Sequence, residues 1–420
     1  MVLFSSNSSC FYLITMNIKG LGSQWVATGY VGLISMLLTF LYGRLLGPEN
    51  FGEFSYFLTL GAIFSILQDG GFRTLVYRES TLSSYDEAAD KIFLMSLSHV
   101  VIVTLVGVIF TLIIPFENQV LVLLVLTAYG LGTLTVFVSS RLKGEGEFEK
   151  DASWKILTRT LTAGFIIIFI FLISSKMKWI LIGWIVGNMV SLLFRFNLWS
   201  IKFKIPEWNK KVYTSIVSLI VIDLATIIYF KVDIVMLKGL GLESGQIGFY
   251  AAASRLLEGL IFIHVPVATY FFRYLRLYSK EKKSFLKLFN RLLIFSLISP
   301  IAIVSVGFIF SESLFELCYG SKFVKGHGVF GSLLLALFFM IPNLVFTQAL
   351  LALNREKDYA CVACLCAILN ISLNYYLIPE YGSMGAVVGT IVTEGFLLLG
   401  IGGVFYYLIY SKSFKQWTNI

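Results

Sequence analysis

Residues 223–259 read DLATIIYFKVDIVMLKGLGLESGQIGFYAAASRLLEG, two apolar helices joined by a short glycine-rich turn. Asp223, Lys231 and Asp233 fall inside or at the edge of the first helix, and Arg255 and Glu258 inside the second. Ionised side chains within a membrane span are expensive, so each marks a functional site by default. The stretch repeats an earlier one. RLLGPENFGEFSY at 44–56 again runs from an apolar helix through a Gly-x-Glu turn to a Gly-x-aromatic that opens the next helix. In the first copy the turn is Gly47-Pro48-Glu49, followed by Gly52-Glu53-Phe54. In the second it is Gly241-Leu242-Glu243, followed by Gly248-Phe249-Tyr250, with two extra residues between. The chain reads as two related halves with a charged seam.

Composition sets the class. Of 420 residues, 57% are hydrophobic and 14% charged, and the mean hydropathy is +0.84. That much apolar surface belongs to a polytopic membrane protein. A net charge of +9 supplies basic loops on one side of the membrane rather than a nucleic-acid surface. The five cysteines (Cys10, Cys318, Cys361, Cys364, Cys366) form no disulfide framework. The last three lie in an apolar helix without the paired CxxC of zinc sites, and read as small packing residues. The three histidines, at 99, 264 and 327, are too far apart in sequence to suggest a metal site or a nucleophile–histidine couple. His264, close to Pro266 in a span, reads as a packing residue. No metal, no cofactor and no catalytic residue is expected.

Twelve spans of about 20 residues, each long enough to cross about 30 Å of hydrocarbon, can be placed. The first six are 22–43, 52–74, 92–114, 119–139, 156–174 and 179–199, and the second six are 213–237, 247–271, 285–310, 328–353, 358–378 and 384–410. The division is then an N-terminal cytoplasmic segment at 1–21, an N-lobe at 22–200, a linker at 201–212, a C-lobe at 213–410 and a tail at 411–420. Met16 is a plausible true start, which would make 1–15 an upstream extension. With the N-terminus inside, 24 of the 33 Lys and Arg face the cytoplasm, seven face out, and Arg159 and Arg255 stay within spans. That bias puts both termini in the cytoplasm. The two Gly-x-Glu turns then both lie outside, as parallel repeats with a substrate path between halves require. No large external loop or exposed carboxylate pair suggests a polymerase or glycosyltransferase.

Within the spans, Lys231 and Asp233 fall about 80° to either side of Asp223 on a helical wheel, so the three can face one broad cavity. Arg255 and Glu258 are one turn apart, as are Asp69 and Arg73, and either pair can neutralise itself on a helix surface. Arg159 enters the fifth span from inside, where it or Lys231 could equally snorkel to an interface. Asp223 and Glu394 have no opposite charge within one turn of their own helix and are the stronger functional candidates. A seam holding cations and carboxylates fits a phosphate-bearing substrate and a driving ion. Pro266, Pro300 and Pro342 interrupt spans of the second half and allow bending.

RLLGPENFGEFSYF (44–57), DGGFR (69–73), GEGEFEKDA (144–152) and VDIVMLKGLGLESGQIGFYAAASRLLE (232–258) resemble the Wzx-like polysaccharide-biosynthesis flippases of bacterial O-antigen and capsule clusters. These belong to the multidrug/oligosaccharidyl-lipid/polysaccharide exporter (MOP) superfamily. The resemblance implies an all-α bundle of about 12 transmembrane helices in two six-helix lobes, with a MATE-like fold, in the bacterial inner membrane. It implies transfer of an undecaprenyl-diphosphate-linked oligosaccharide between leaflets, with H⁺ or Na⁺ as coupling ion. A polysaccharide polymerase and a chain-length regulator are the implied protein partners, alongside membrane lipid. Arg73, Arg159, Lys231 and Arg255 are the candidates for a cationic lining. Asp69, Asp223, Asp233, Glu258 and Glu394 are the candidates for coupling or gating. A drug or metabolite exporter of the same superfamily is the alternative substrate class.

Overall fold

The computed structural model describes residues 7–82, 87–114, 116–195, 210–262 and 264–410. Residues 1–6, most of the 201–212 linker and the 411–420 tail lie outside the described residues. The rest is helical: α1 (Asn7–Asp69), α2 (Phe72–Leu82), α3 (Glu87–Ile113), α4 (Gln119–Gly144), α5 (Phe148–Leu172), α6 (Met177–Arg195) and α7 (Lys210–Gly239). They continue as α8 (Ser244–Phe262), α9 (His264–Leu277), α10 (Lys282–Ile309), α11 (Ser311–Tyr319), α12 (His327–Leu333), α13 (Leu337–Ala352), α14 (Glu356–Tyr381) and α15 (Ser383–Tyr410). Among the described residues, nine helices are long and apolar enough to cross a membrane.

α1 carries two of the predicted spans. Between them Gly47 has φ 74° and ψ 171°, and Pro48 follows. Proline lacks an N–H and crowds the carbonyl four residues back, so a continuous helix cannot pass this point. The second copy of the motif turns in the same way, with Gly241 at φ 87°. A positive φ suits glycine, which has no Cβ to clash.

The helices gather into two compact units. One holds Met1–Thr39 and Leu60–Asp223, and the other Phe40–Thr59 and Leu224–Ile420. The core of the first is built on Phe72, Phe93, Phe137 and Trp154, with the Trp154 Nε1–H donating to the Thr135 carbonyl at 3.0 Å. Gly183 and Gly187 of α6 let that helix touch the α5 backbone at Ile166 and Thr162. Small residues one turn apart allow this kind of approach where lipid gives no hydrophobic drive.

In the second unit Phe285, Phe289, Phe346 and Phe405 form the aromatic centre, with Phe289 stacked on Phe405 at 4.2 Å and Cys366 fully buried beside them. Gly385 and Gly389 of α15 meet α14 at the Leu377 carbonyl and the Asn374 side chain, the same device as on α6. Residues 40–59 dock here too. Arg44 donates to the Leu317 and Cys318 carbonyls at the end of α11, and Tyr319, fully enclosed, packs edge-on to Phe40.

The two motif copies touch each other within this unit, and the contact is reciprocal. A Cβ on Gly52 would lie 2.0 Å from the Ser244 carbonyl, four residues before Gly248. A Cβ on Gly248 would lie 2.0 Å from the Pro48 carbonyl, four residues before Gly52. Backbone faces backbone, so no side chain can yield. Gly248→Ala should therefore destabilise the protein by about 1–3 kcal/mol, the usual range for overpacking. Gly132→Ala, where nothing lies within 4 Å of the new Cβ, should be neutral or slightly stabilising. Thermal melting of the purified variants in detergent checks the pair, and equal melting temperatures would contradict the close contact.

Candidate functional site

Five of the nine sequence-predicted charges meet in one cleft of the second unit. It measures about 710 Å³ with its open mouth included, and Lys231, Asp233, Arg255, Glu258 and Glu394 all line it. On α8 the lining positions Tyr250, Ser254, Glu258 and Ile261 recur every three or four residues, which places them on a single helix face. Glu258 lies between two cations. It accepts from Lys231 Nζ through one oxygen and from Arg255 Nη1 at 2.9 Å through the other. The trio keeps one net positive charge at the rim.

Asp233 is held differently. Its side chain is buried, and it accepts from Tyr250 Oη at 2.6 Å, Asn374 Nδ2 at 2.7 Å and Thr390 Oγ1 at 3.2 Å. The donors come from α8, α14 and α15, and all are neutral. Asn374 Nδ2 also reaches Asn370 Oδ1 at 3.0 Å, while its own Oδ1 is buried without a hydrogen-bond partner. Nearby, buried Glu394 accepts from Asn343 Nδ2 at 2.7 Å, and the same nitrogen lies 3.1 Å from the Glu394 carbonyl.

The remaining candidates belong to the first unit. Arg73 pairs with Asp223 at 3.3 Å, both partly exposed. Asp69 ends α1 close to Arg73 and Asp223. Asp223 therefore does not join Lys231 and Asp233. Ten residues separate it from Asp233, about 15 Å along a helix axis, and the helical wheel on which the three converge ignores that rise. Arg159 lies on α5 one turn beyond Lys155, half-buried, and does not line the cleft.

One buried acid lies outside the predicted set. Asp151, from the GEGEFEKDA segment, accepts from Ser139 Oγ, from Gln24 Nε2 at 2.8 Å and from Lys155 Nζ at 2.9 Å, joining α1, α4 and α5. Sequence reasoning also passed over Tyr250, Asn370, Asn374, Thr390 and Asn343. Asn370 and Asn374 stand one turn apart in an otherwise apolar part of α14, a spacing that signals a polar face. His264 is buried, with Nδ1 3.3 Å from the Leu260 carbonyl, a contact within one helical turn. Among the described residues no group of three or more His, Cys, Asp or Glu could hold a metal.

The cleft can receive an anion on Lys231 and Arg255, and a small cation on the Asp233 carboxylate and neighbouring amide and hydroxyl oxygens. Comparison with known proteins gives a family and a fold. The sequence profile of the family described as "Polysaccharide biosynthesis protein" matches residues 18–274. A Shigella flexneri protein named "Putative O-antigen transporter" is 21% identical over 399 residues, covering 87% of this chain and 92% of the relative. A lipid II flippase MurJ structure in an inward closed conformation superposes with TM-score 0.72 at 17% identity, over 94% of this chain and 89% of that one. An inward-facing multidrug resistance MATE family transporter of the MOP superfamily gives TM-score 0.74 at 14% identity, over 92% and 96%. The fold is thus that of the MATE and MurJ transporters, and none of these proteins is named as an enzyme.

Glu258→Gln removes the acid that Lys231 and Arg255 share and leaves two cations at the rim. Removing one partner leaves the other charges unanswered, which costs more than removing an opposite pair together. The single variant should therefore melt below the wild type in detergent, and Lys231→Gln/Glu258→Gln, which restores one net charge, should recover most of the loss. Identical melting temperatures in all three proteins would show that the trio does not contribute to stability.

Proposed function

Because the chain belongs to the polysaccharide biosynthesis protein family, we propose that it flips an undecaprenyl-diphosphate-linked oligosaccharide repeat unit across the bacterial inner membrane. It does so by alternating access, driven by an ion gradient. The reading is carried by the family match together with a cleft in which two cations share one carboxylate. A diphosphate offers the negative charge that Lys231 and Arg255 lack when Glu258 alone answers them. Charge-assisted contacts of this kind are the stronger hydrogen bonds. Arg73 and Arg159 are further candidates for steering the same group. The polyprenyl tail stays in lipid. A polymerase and a chain-length regulator would take over the unit after transfer.

Coupling is assigned first to Asp233. An ion gradient can bias the flip only if the ion binds one access state better than the other. The shell of Asp233 is assembled from α7, α8, α14 and α15, so relative movement of those helices changes the site. Its carboxylate, amide and hydroxyl oxygens suit Na⁺, and the carboxylate alone suits H⁺. Glu394 and Glu258 in the same cleft, and Asp69 and Asp223 beside Arg73, are candidates for gating.

A strain lacking the protein should accumulate single lipid-linked repeat units in the cytoplasmic leaflet, out of reach of an external sugar-modifying probe. Unpolymerised units reaching the outer leaflet would place the protein after flipping and sink the flippase reading. Unchanged surface sugar with new drug sensitivity would make it an exporter. Asp233→Asn should reproduce the deletion while inserting at normal levels, and full activity of that variant would remove the coupling role. In vesicles, replacing Na⁺ with choline at fixed pH should stop transport if the ion is Na⁺, and collapsing the pH gradient should stop it if the ion is H⁺.

A further inference from the structure

The first three turns of α10 read KKSFLKLFNRLL, and this helix has two clearly different faces. Phe285, Phe289, Leu292, Ser296 and Pro300 are buried along one side. On the other, Lys283, Lys287 and Arg291 are exposed and continue without a break into exposed Ile294, Phe295, Ile298 and Ile301. The spacing 283, 287, 291, 294, 298, 301 is that of a single helical stripe. One face of one helix therefore changes at residue 294 from cationic to fully apolar, the profile of a helix leaving a charged interface for hydrocarbon.

Neighbouring cations have structural work and these three do not. Arg276 Nη1 donates to the Ala352 carbonyl at 2.7 Å, at the end of α13. Lys282 Nζ donates to the Ile409 carbonyl near the end of α15 and lies 5.7 Å from the Tyr410 ring centre. Lys283, Lys287 and Arg291 make no hydrogen bond or ion pair with any described residue. Like charges four residues apart repel on a helix, and Glu281, two positions before Lys283, does not share their face. The stripe carries three positive charges over about 12 Å and lacks counter-charge from the described residues.

We propose that Lys283, Lys287 and Arg291 form a binding site for the headgroups of anionic phospholipids of the surrounding bilayer, which hold this end of α10 at the membrane surface. Charge complementarity sets the headgroup class, and continuity with the apolar stripe from Ile294 onward sets the source. A lipid seated there keeps its acyl chains against Ile294 and Ile298 and its phosphate among the cations, which a soluble phosphate cannot do. Cations close to an anionic membrane surface are each worth roughly a fivefold gain in binding.

The full-length protein, purified in mild detergent, is titrated with a phosphatidylglycerol and with a phosphatidylcholine of the same chains, and bound lipid is counted by native mass spectrometry. Wild type should prefer phosphatidylglycerol, and the preference should fall about tenfold or more in Lys283→Gln/Lys287→Gln/Arg291→Gln. All three positions are exposed, and an unchanged melting temperature confirms an intact fold. Lys322→Gln/Lys325→Gln/Lys357→Gln removes the same charge elsewhere on this unit and should keep the preference. Equal loss in both triple variants would mean bulk charge rather than a site. No preference in the wild type, or a preference surviving in the first triple variant, would overturn the proposal. So would selective binding of a polyprenyl diphosphate with no affinity for phosphatidylglycerol, which would assign the stripe to substrate.

Discussion

Hydrocarbon cannot solvate a charge, so an ionised side chain inside a span has to be answered by another part of the protein. In this chain that requirement does much of what hydrophobic burial does in a water-soluble fold. Leu172, Leu399 and Ile109 remain exposed on their helices, which costs nothing where the surroundings are as apolar as leucine. The interior instead collects what lipid will not accept. Asp151 draws α1, α4 and α5 together, Asp233 draws α7, α8, α14 and α15, and Glu258 joins α7 to α8. Between these polar ties, aromatic rings and glycine contacts fill the space.

The repeated glycine motif shows the same economy in the backbone. A positive-φ glycine ends one helix, and a second glycine, a turn or two later, strips the next helix of its side chain at the crossing point. Because each copy presents its bare backbone to the other, Gly52 and Gly248 serve simultaneously as knob and as socket. Two unrelated turns would have no reason to meet with this reciprocity. The Gly-x-x-x-Gly pairs at 183/187 and 385/389 each close a neighbouring helix pair in the same way.

The membrane class, the helical stretches and the grouping of Lys231, Arg255 and Glu258 around a charged cleft were legible because each depends on composition or local periodicity. The pairing of Asp223 was not legible. Angular position around a helix follows from sequence, but its partner Arg73 lies 150 residues away, and long-range pairing has no local signature. Arg255 and Glu258 looked like a self-contained surface pair, yet Lys231 shares the same acid. The asparagines were overlooked for a different reason. Neutral amides are cheap enough in a span to pass as background, and only the tertiary fold shows Asn374 and Asn370 gathered against Asp233. The docking of residues 40–59 with the C-terminal helices was equally hidden, since Arg44 and the Cys318 carbonyl meet across more than 270 positions of chain.

Two of the three acids of the cleft, Glu258 and Asp233, are answered in contrasting ways. Glu258 is answered by two fixed positive charges, neither of which can be withdrawn without leaving a cation in apolar surroundings. Such an arrangement is stable in one state and yields only to another anion. Asp233 is answered by a phenol, a hydroxyl and an amide, groups that accept as well as donate hydrogen bonds. When a small cation approaches, the Thr390 and Tyr250 hydroxyls can turn their lone pairs toward it, and Asn374 Oδ1 already lacks a donor. The same side chains can therefore satisfy the carboxylate when the site is empty and share its cation when the site is filled. Neutral neighbours of that kind leave Asp233 free to change its partner, whereas the two cations around Glu258 admit only the exchange of one anion for another. Both acids line one cleft, from α7 and from α8.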